Sequence, residues 1–327
     1  MKVLVVRFSS IGDVVLTTPV VRALKNQLNC ELHFITKKQF KGILENNPNI
    51  DKIYSIEKSI NEIVSELITE KYDYVIDLHK NVRTFALKRK LGCTSFSFPK
   101  LNLEKWLLVN FKRASMPDKH VVDRYFETVK PLGVVNDNLP CDYFIEAKDE
   151  VNISEVFDLE PKSFVAIAIG AQFATKRMPF NKLEEIIQKI QKPIILVGGP
   201  TDKELAQRLV ERFTEQRISS ACGNFNLSQS ASIVHQSAVL LTNDTGMMHI
   251  ASCFEIPIVS IWGNTVPELG MYPYFPKGKE NYSIHEVKGL KCRPCSKIGF
   301  KECPKKHFNC MQLQDETVIA QDVNNRS

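Results

Sequence analysis

No run of the 327 residues is apolar for long enough to cross a bilayer as a helix, which argues against an integral membrane protein of the helical kind. The opening MKVLVVRFSS turns polar too soon for a signal peptide and reads instead as a first strand, so a cytoplasmic location is expected. Neither G-x-G-x-x-G nor G-x-x-x-x-G-K-[ST] occurs, and a dinucleotide or P-loop reading is correspondingly poor. D-x-D is missing too, so a metal bridging a diphosphate has no obvious ligand pair. Acids are scarce in one region: residues 80–113 hold nine Lys and Arg against a single acid, Glu104, within a net charge of +6. Such a surplus suits an anionic partner, whether a phosphorylated substrate, an anionic lipid surface or nucleic acid. The few aromatics there lack the stacking pattern of a nucleic-acid reader, which ranks that partner last.

What is present is the composition of a globular chain, 43% hydrophobic and 24% charged, long enough for two domains. Short apolar runs alternate with helical patterns: residues 2–8 and 14–28, 31–36 and 39–45, 52–56 and 60–71, then 74–78. Residues 120–132 form an amphipathic helix, and the polar stretch 133–150 with Pro140 is the candidate linker. The alternation restarts at 164–169 and continues through 193–197 and 238–241 to 256–262. Two consecutive α/β halves follow from this, residues 1–148 and 149–327, and a cleft between such halves is a standard ligand site.

The chain centres on Asn243-Asp244-Thr245-Gly246, a polar turn between a buried strand and a short helix. Open α/β sheets bind ligands at that end of their strands, and the amides of Thr245, Gly246 and Met247 would favour an anion. A capped turn that binds nothing is the alternative from this stretch alone. Asp13 stands just beyond the first strand, where carboxylates are commonly caps. Five cysteines are scattered among apolar residues, whereas Cys292, Cys295, Cys303 and Cys310 read C-x₂-C-x₇-C-x₆-C with His307 nearby. Four thiols in that span suit structural zinc, although the spacing is looser than a paired C-x-x-C ribbon.

Five motifs in order resemble family 9 glycosyltransferases, the bacterial lipopolysaccharide heptosyltransferases. They are R-F-S-S-I-G-D-V-V-L-T-T-P from Arg7 to Pro19, Asp77-Leu78-His79 with Arg83, K-R-M-P from Lys176 to Pro179, G-G-P-T-D from Gly198 to Asp202, and N-D-T-G-M-M-H from Asn243 to His249. The resemblance covers essentially the whole chain. It implies a GT-B fold, two Rossmann-like domains facing across a cleft, with acceptor on the amino-terminal side and sugar nucleotide on the carboxyl-terminal side. It also implies inverting, metal-independent transfer of a heptose from ADP-heptose to a lipid A core acceptor, with no resident cofactor. By position in the motifs, Asp13 matches the general base, Lys176 the lysine at the diphosphate, and Asp202 the acid at the ribose. Phe225 matches the position beside the adenine, Asp244, Thr245 and Gly246 match the loop holding sugar and diphosphate, and His249 follows in the same pattern. Met178 replaces the tryptophan usual in K-R-W-P, a departure bearing on the donor sugar. The final stretch, 315–323, would be a helix returning to the amino-terminal domain.

The residues support this chemistry in part. A carboxylate can deprotonate an acceptor hydroxyl if its surroundings bring its pKa towards the working pH. A lysine and helix amino-terminal amides can take over a metal's charge role at the leaving diphosphate. The resulting expectation is a monomeric enzyme peripheral to the cytoplasmic face of the inner membrane, its basic 80–113 stretch meeting lipid A phosphates or anionic headgroups. The alternatives are another GT-B sugar-nucleotide enzyme, an epimerase or hydrolase, and a non-catalytic sugar-nucleotide or glycolipid binder.

Overall fold

A computed structural model describes residues 1–113, 116–213 and 218–327, in two contact units. The first comprises Met1–Leu101, Lys119–Phe144 and Tyr274–Gly278, and the second Asn102–Asp118, Ile145–Pro273 and Lys279–Ser327. The candidate linker is thereby divided: residues 133–144 belong to the first unit. Arg22 ties them there by pairing with Asp137 and Asp142 and donating to the Pro140 carbonyl.

The first unit runs β1 (Lys2–Val6), α1 (Ile11–Val15), α2 (Thr18–Leu28), β2 (Glu31–Lys37), β3 (Lys52–Ile56), α3 (Val64–Thr69), β4 (Tyr74–Asp77), α4 (Val82–Leu91) and β5 (Thr94–Ser97). The chain then gives α5 (Asn102–Phe111) to the second unit and returns with α6 (Val121–Val129). The second unit continues with α7 (Ile153–Phe157), β6 (Val165–Ala168), α8 (Phe180–Ile187), β7 (Ile194–Val197), α9 (Lys203–Arg212), β8 (Ile218–Ser220), α10 (Leu227–His235), β9 (Val239–Asn243), α11 (Gly246–Ser252), β10 (Ile258–Trp262) and β11 (Tyr282–Glu286). It closes with α12 (Asn309–Gln312) and α13 (Glu316–Arg326).

Both sheets are wholly parallel. Their strand orders are β3-β2-β1-β4-β5 and β11-β10-β9-β6-β7-β8. Each is the Rossmann order, reversing direction between its first and fourth strands, and ligands of such sheets lie outside the strand ends at that reversal. The strands are continuous apolar runs because helices cover both faces of a parallel sheet. Val165, Ile167, Leu196, Leu241 and Val259 build one core, and Leu4, Val6, Ile35 and Val75 the other.

Helix α13 corrects the expectation for the chain end. Ile319, Ala320 and Val323 lie in the second unit's core with Leu183, Ile186 and Ile187 of α8, so this helix packs on the sheet that precedes it. The region 39–45 forms no α-helix but a 3₁₀ segment over Lys38–Ile43, and 60–71 is broken into a 3₁₀ turn and α3. No helix among the described residues is long and apolar enough to cross a membrane.

Candidate active site

In the first unit the reversal lies between β1 and β4, and the chain beyond both strands carries charge. Asp13 sits on the first turn of α1. Its Oδ2 accepts the Ser10 N–H at 3.0 Å and the Ser10 hydroxyl at 2.8 Å, and its Oδ1 lies 2.5 Å from Arg7 Nη2. Arg7 is itself fixed: Nη1 donates to the Leu78 carbonyl beyond β4 and Nε to the Ser9 carbonyl. One buried guanidinium thus bridges the two loops that flank the reversal.

Beside this pair, His79 packs against the Phe8 ring and Tyr125 of α6 lies under Arg7. Among the described residues His79 Nδ1 and the Tyr125 hydroxyl are buried without a hydrogen-bond partner, the condition of polar groups that meet a ligand or water. Asp77 is occupied, accepting from the His79 and Lys80 amides and pairing with Lys88 at 3.1 Å.

The protonation states follow from this packing. Burial pushes the Asp13 carboxyl upward, but the Arg7 charge and the two Ser10 hydrogen bonds outweigh it and hold the group at about 2. Burial, then Arg7 and Lys100, bring His79 down to about 4, so its imidazole is neutral near pH 7. The condition set for Asp13, surroundings that bring its pKa towards the working pH, is therefore not met: the neighbouring cation wins over desolvation. Arg7→Met should reverse the balance, since burial then acts without its opponent. The acid limb of the pH–kcat/KM profile should move up from below pH 4 to above the ordinary aspartate range of about 4, and Arg7→Lys should restore most of the low value. An acid limb unmoved in Arg7→Met would show that Arg7 does not set the charge of Asp13.

The second unit repeats the design between β6 and β9. Lys176, on the loop after β6, places Nζ 2.6 Å from Asp244 Oδ2, and the Thr265 hydroxyl donates to the same oxygen at 2.7 Å. Thr245 precedes α11, with its hydroxyl 3.3 Å from that of Thr242, and leaves the Gly246 and Met247 amides at the helix start. Among the described residues Asn243 Oδ1 and the whole side-chain amide of Asn264 are buried without a hydrogen-bond partner. Ion pair, helix start and unpartnered amides converge where a polyanionic ligand of this sheet would lie.

Three other predicted residues stand differently. Asp202 is buried, accepts the Gly199 N–H at 2.9 Å, and fills the space over Gly170, where a Cβ would come within 2.2 Å of its Oδ2. Its other oxygen lies 3.5 Å from Arg177 Nη1 and is buried without a hydrogen-bond partner among the described residues, so one oxygen caps the turn while the other stays unspent. Phe225 is half-buried before α10 with its ring 6.0 Å from that of Phe157. His249 is buried on α11. Met178 lies in the core of the second unit.

The cysteine-rich segment between β11 and α12 braces the lysine loop. The Phe300 N–H donates to the Thr175 hydroxyl at 2.8 Å, and the Thr175 N–H donates to the Phe300 carbonyl at 3.2 Å. Arg293 donates to the carbonyls of Gly263 and Thr265 and pairs with Glu286. Its three cysteines, Cys292, Cys295 and Cys303, and Cys310 on α12 are free thiols. Cys292 Sγ is 3.9 Å from His307 Nε2, but these sulfurs and His307 do not bring three ligand atoms within 4.8 Å of one another. Among the described residues only Glu31, His33 and Glu70 meet that criterion, and there Lys2, Lys52 and Tyr54 already engage Glu70.

Arg7, His79, Tyr125, Thr265 and Asn264 are the site groups that carried no assigned role in the sequence reading. Arg7 and His79 stood inside quoted motifs, while the others are brought in only by the fold.

Two parallel sheets of Rossmann order, each with a charged cluster at its reversal, make up a two-domain fold of the GT-B class. Residues 60–303 match the model of glycosyltransferase family 9 (heptosyltransferase), and the chain belongs to that family. It is 24% identical over 295 residues to lipopolysaccharide heptosyltransferase 1 of Campylobacter coli, spanning 81% of this chain and 84% of that one. The family 9 glycosyl transferase structure from Veillonella parvula superposes with a TM-score of 0.78 at 23% identity, covering 100% of this chain and 98% of the other. The Escherichia coli heptosyltransferase WaaC with ADP gives 0.69 at 19% identity, covering 100% of both chains. The chain is thus a glycosyltransferase.

Proposed function

We propose that the enzyme transfers a heptose from ADP-heptose to a lipopolysaccharide core acceptor, with inversion and without a metal, at the cytoplasmic face of a membrane. The observation that carries the reading is the Lys176–Asp244–Thr265 cluster at the second sheet's reversal, in a chain of this family. Lys176 and the amides that open α11 stabilise the charge growing on the diphosphate as the bond from the anomeric carbon to phosphate oxygen breaks. Asp13 accepts the hydroxyl proton as the acceptor oxygen bonds to that carbon, and ADP leaves with the electron pair. The relatives support both substrates: one is named for lipopolysaccharide, and another was solved with ADP.

Incubating the purified protein with ADP-, GDP- and UDP-sugars and lipid A core acceptors tests the reading. Mass spectrometry should show one heptose added from ADP-heptose alone. Hydrolysis or epimerisation of the donor without a glycolipid product would refute it.

A further inference from the structure

Helix α5 presents its apolar residues the wrong way round for a globular surface. Leu108 faces inward, packed with Val266 and Leu269. Leu103, Trp106 and Phe111 face solvent at 65%, 52% and 57% exposure, and the last two rings meet edge to face, 5.2 Å apart. Leu103, Trp106 and Asn110 recur at helical spacing along one side, and exposed Lys112 and Arg113 follow at the helix end. Lys112 is anchored through its ammonium to the Val109 and Pro294 carbonyls, which leaves its charge unneutralised. Exposed aromatics cost solvation, and a soluble surface normally carries them singly rather than as a contiguous set.

We propose that the outward face of α5 is a docking surface for an anionic lipid bilayer, with Leu103, Trp106 and Phe111 entering the headgroup region while Lys112 and Arg113 meet lipid phosphates. Leucine, tryptophan and phenylalanine beside Lys and Arg are the composition of a helix lying in the membrane interface, where rings sit at headgroup depth. Charge complementarity selects the occupant: on this helix and just after it Lys105, Lys112 and Arg113 stand against a single acid, Glu104, and an anionic leaflet attracts such a segment. A helix of the other unit has the same make-up independently. On α4, Val82 and Phe85 are exposed, with Arg89 and Lys90 at its end. The proposal rests on the functional reading in one respect: a lipid-anchored acceptor makes a membrane surface the place of work.

The test uses the full chain and vesicles. Of the two tryptophans, Trp262 is fully buried, so a change in the fluorescence of the exposed one reports on Trp106. Vesicles of phosphatidylglycerol and phosphatidylethanolamine should shift its emission to the blue and co-sediment the protein at low salt, whereas phosphatidylcholine vesicles should do neither. Leu103→Ser with Phe111→Ser should weaken this binding by about tenfold or more, and Arg113→Glu should weaken it and flatten its salt dependence. Transfer to a deacylated, water-soluble acceptor should be unchanged in these variants, while transfer to vesicle-embedded acceptor falls. Vesicle binding equal in wild type and variants, or no binding at low salt, would overturn the proposal. So would a concentration-dependent dimer abolished by the same variants, since a second chain would then cover the face. Should wild type fail on the soluble acceptor as well, the heptosyl reading falls while the vesicle result stands by itself.

Discussion

Asp13→Asn should lower kcat by about 10²- to 10⁴-fold while ADP affinity stays within a few-fold of wild type. The magnitude follows from what the carboxylate does and from where it is held. With Ser10 on one oxygen and Arg7 on the other, Asp13 is ionised throughout the working pH range. The groups around it are Arg7 and Ser10 on the loop after β1, Asp77 at the end of β4, His79 and Lys100 beyond it, and Tyr125 on α6. At about 2 its basicity is too low to pull a proton from a free hydroxyl. The proton becomes transferable once the acceptor oxygen has begun to bond to the anomeric carbon and has turned acidic. Proton transfer therefore trails bond formation, and the carboxylate first serves to orient the attacking oxygen. Asparagine keeps the shape but cannot take the proton. Single-turnover rates and ADP titration separate the two effects, and wild-type-like turnover would remove Asp13 from this role.

Lys176→Ala should weaken ADP binding by about 30-fold or more, the lower end of the cost of truncating one partner of a buried charged pair. The 2.6 Å contact with Asp244 balances a buried negative charge, and without the ammonium that charge faces the incoming diphosphate with only the Thr265 hydroxyl on it. The sign can be checked with a double change. Lys176→Ala with Asp244→Asn should recover part of the ADP affinity, because the repulsive charge goes with the attractive one. Isothermal titration with ADP measures all three proteins. Affinity within twofold of wild type in Lys176→Ala would place the diphosphate elsewhere.

Much of this was legible in the residues for physical reasons. Buried parallel strands are short apolar runs, and polar turns with Asp, Thr and Gly mark their ends, so β1, β4, β6 and β9 and the residues beyond them stood out. What escaped was anything depending on long-range packing. Tyr282–Glu286 is half-buried along its length and shows no apolar run, yet it becomes β11 by pairing with β10. Thr265 gains meaning only because β10 lies beside β9. Arg7 adjoins Asp13 in the chain, but its reach to Leu78 across the reversal, and thus the direction of the Asp13 shift, belongs to the fold. Asp202 shows the converse, a motif position whose buried cap geometry only the packing around Gly170 discloses.

The segment between β11 and α12 contains no helix or strand, and irregular surface backbone is ordinarily where a chain tolerates inserted residues. Here Phe300 and Arg293 grip Thr175, Gly263 and Thr265, while Leu290 and Phe308 pack against the second unit's core. A change in the segment's length is therefore expected to disturb the donor-side loops and the edge of that core together, so donor affinity and the second unit's stability should fall in step while the first unit's sheet keeps its strength.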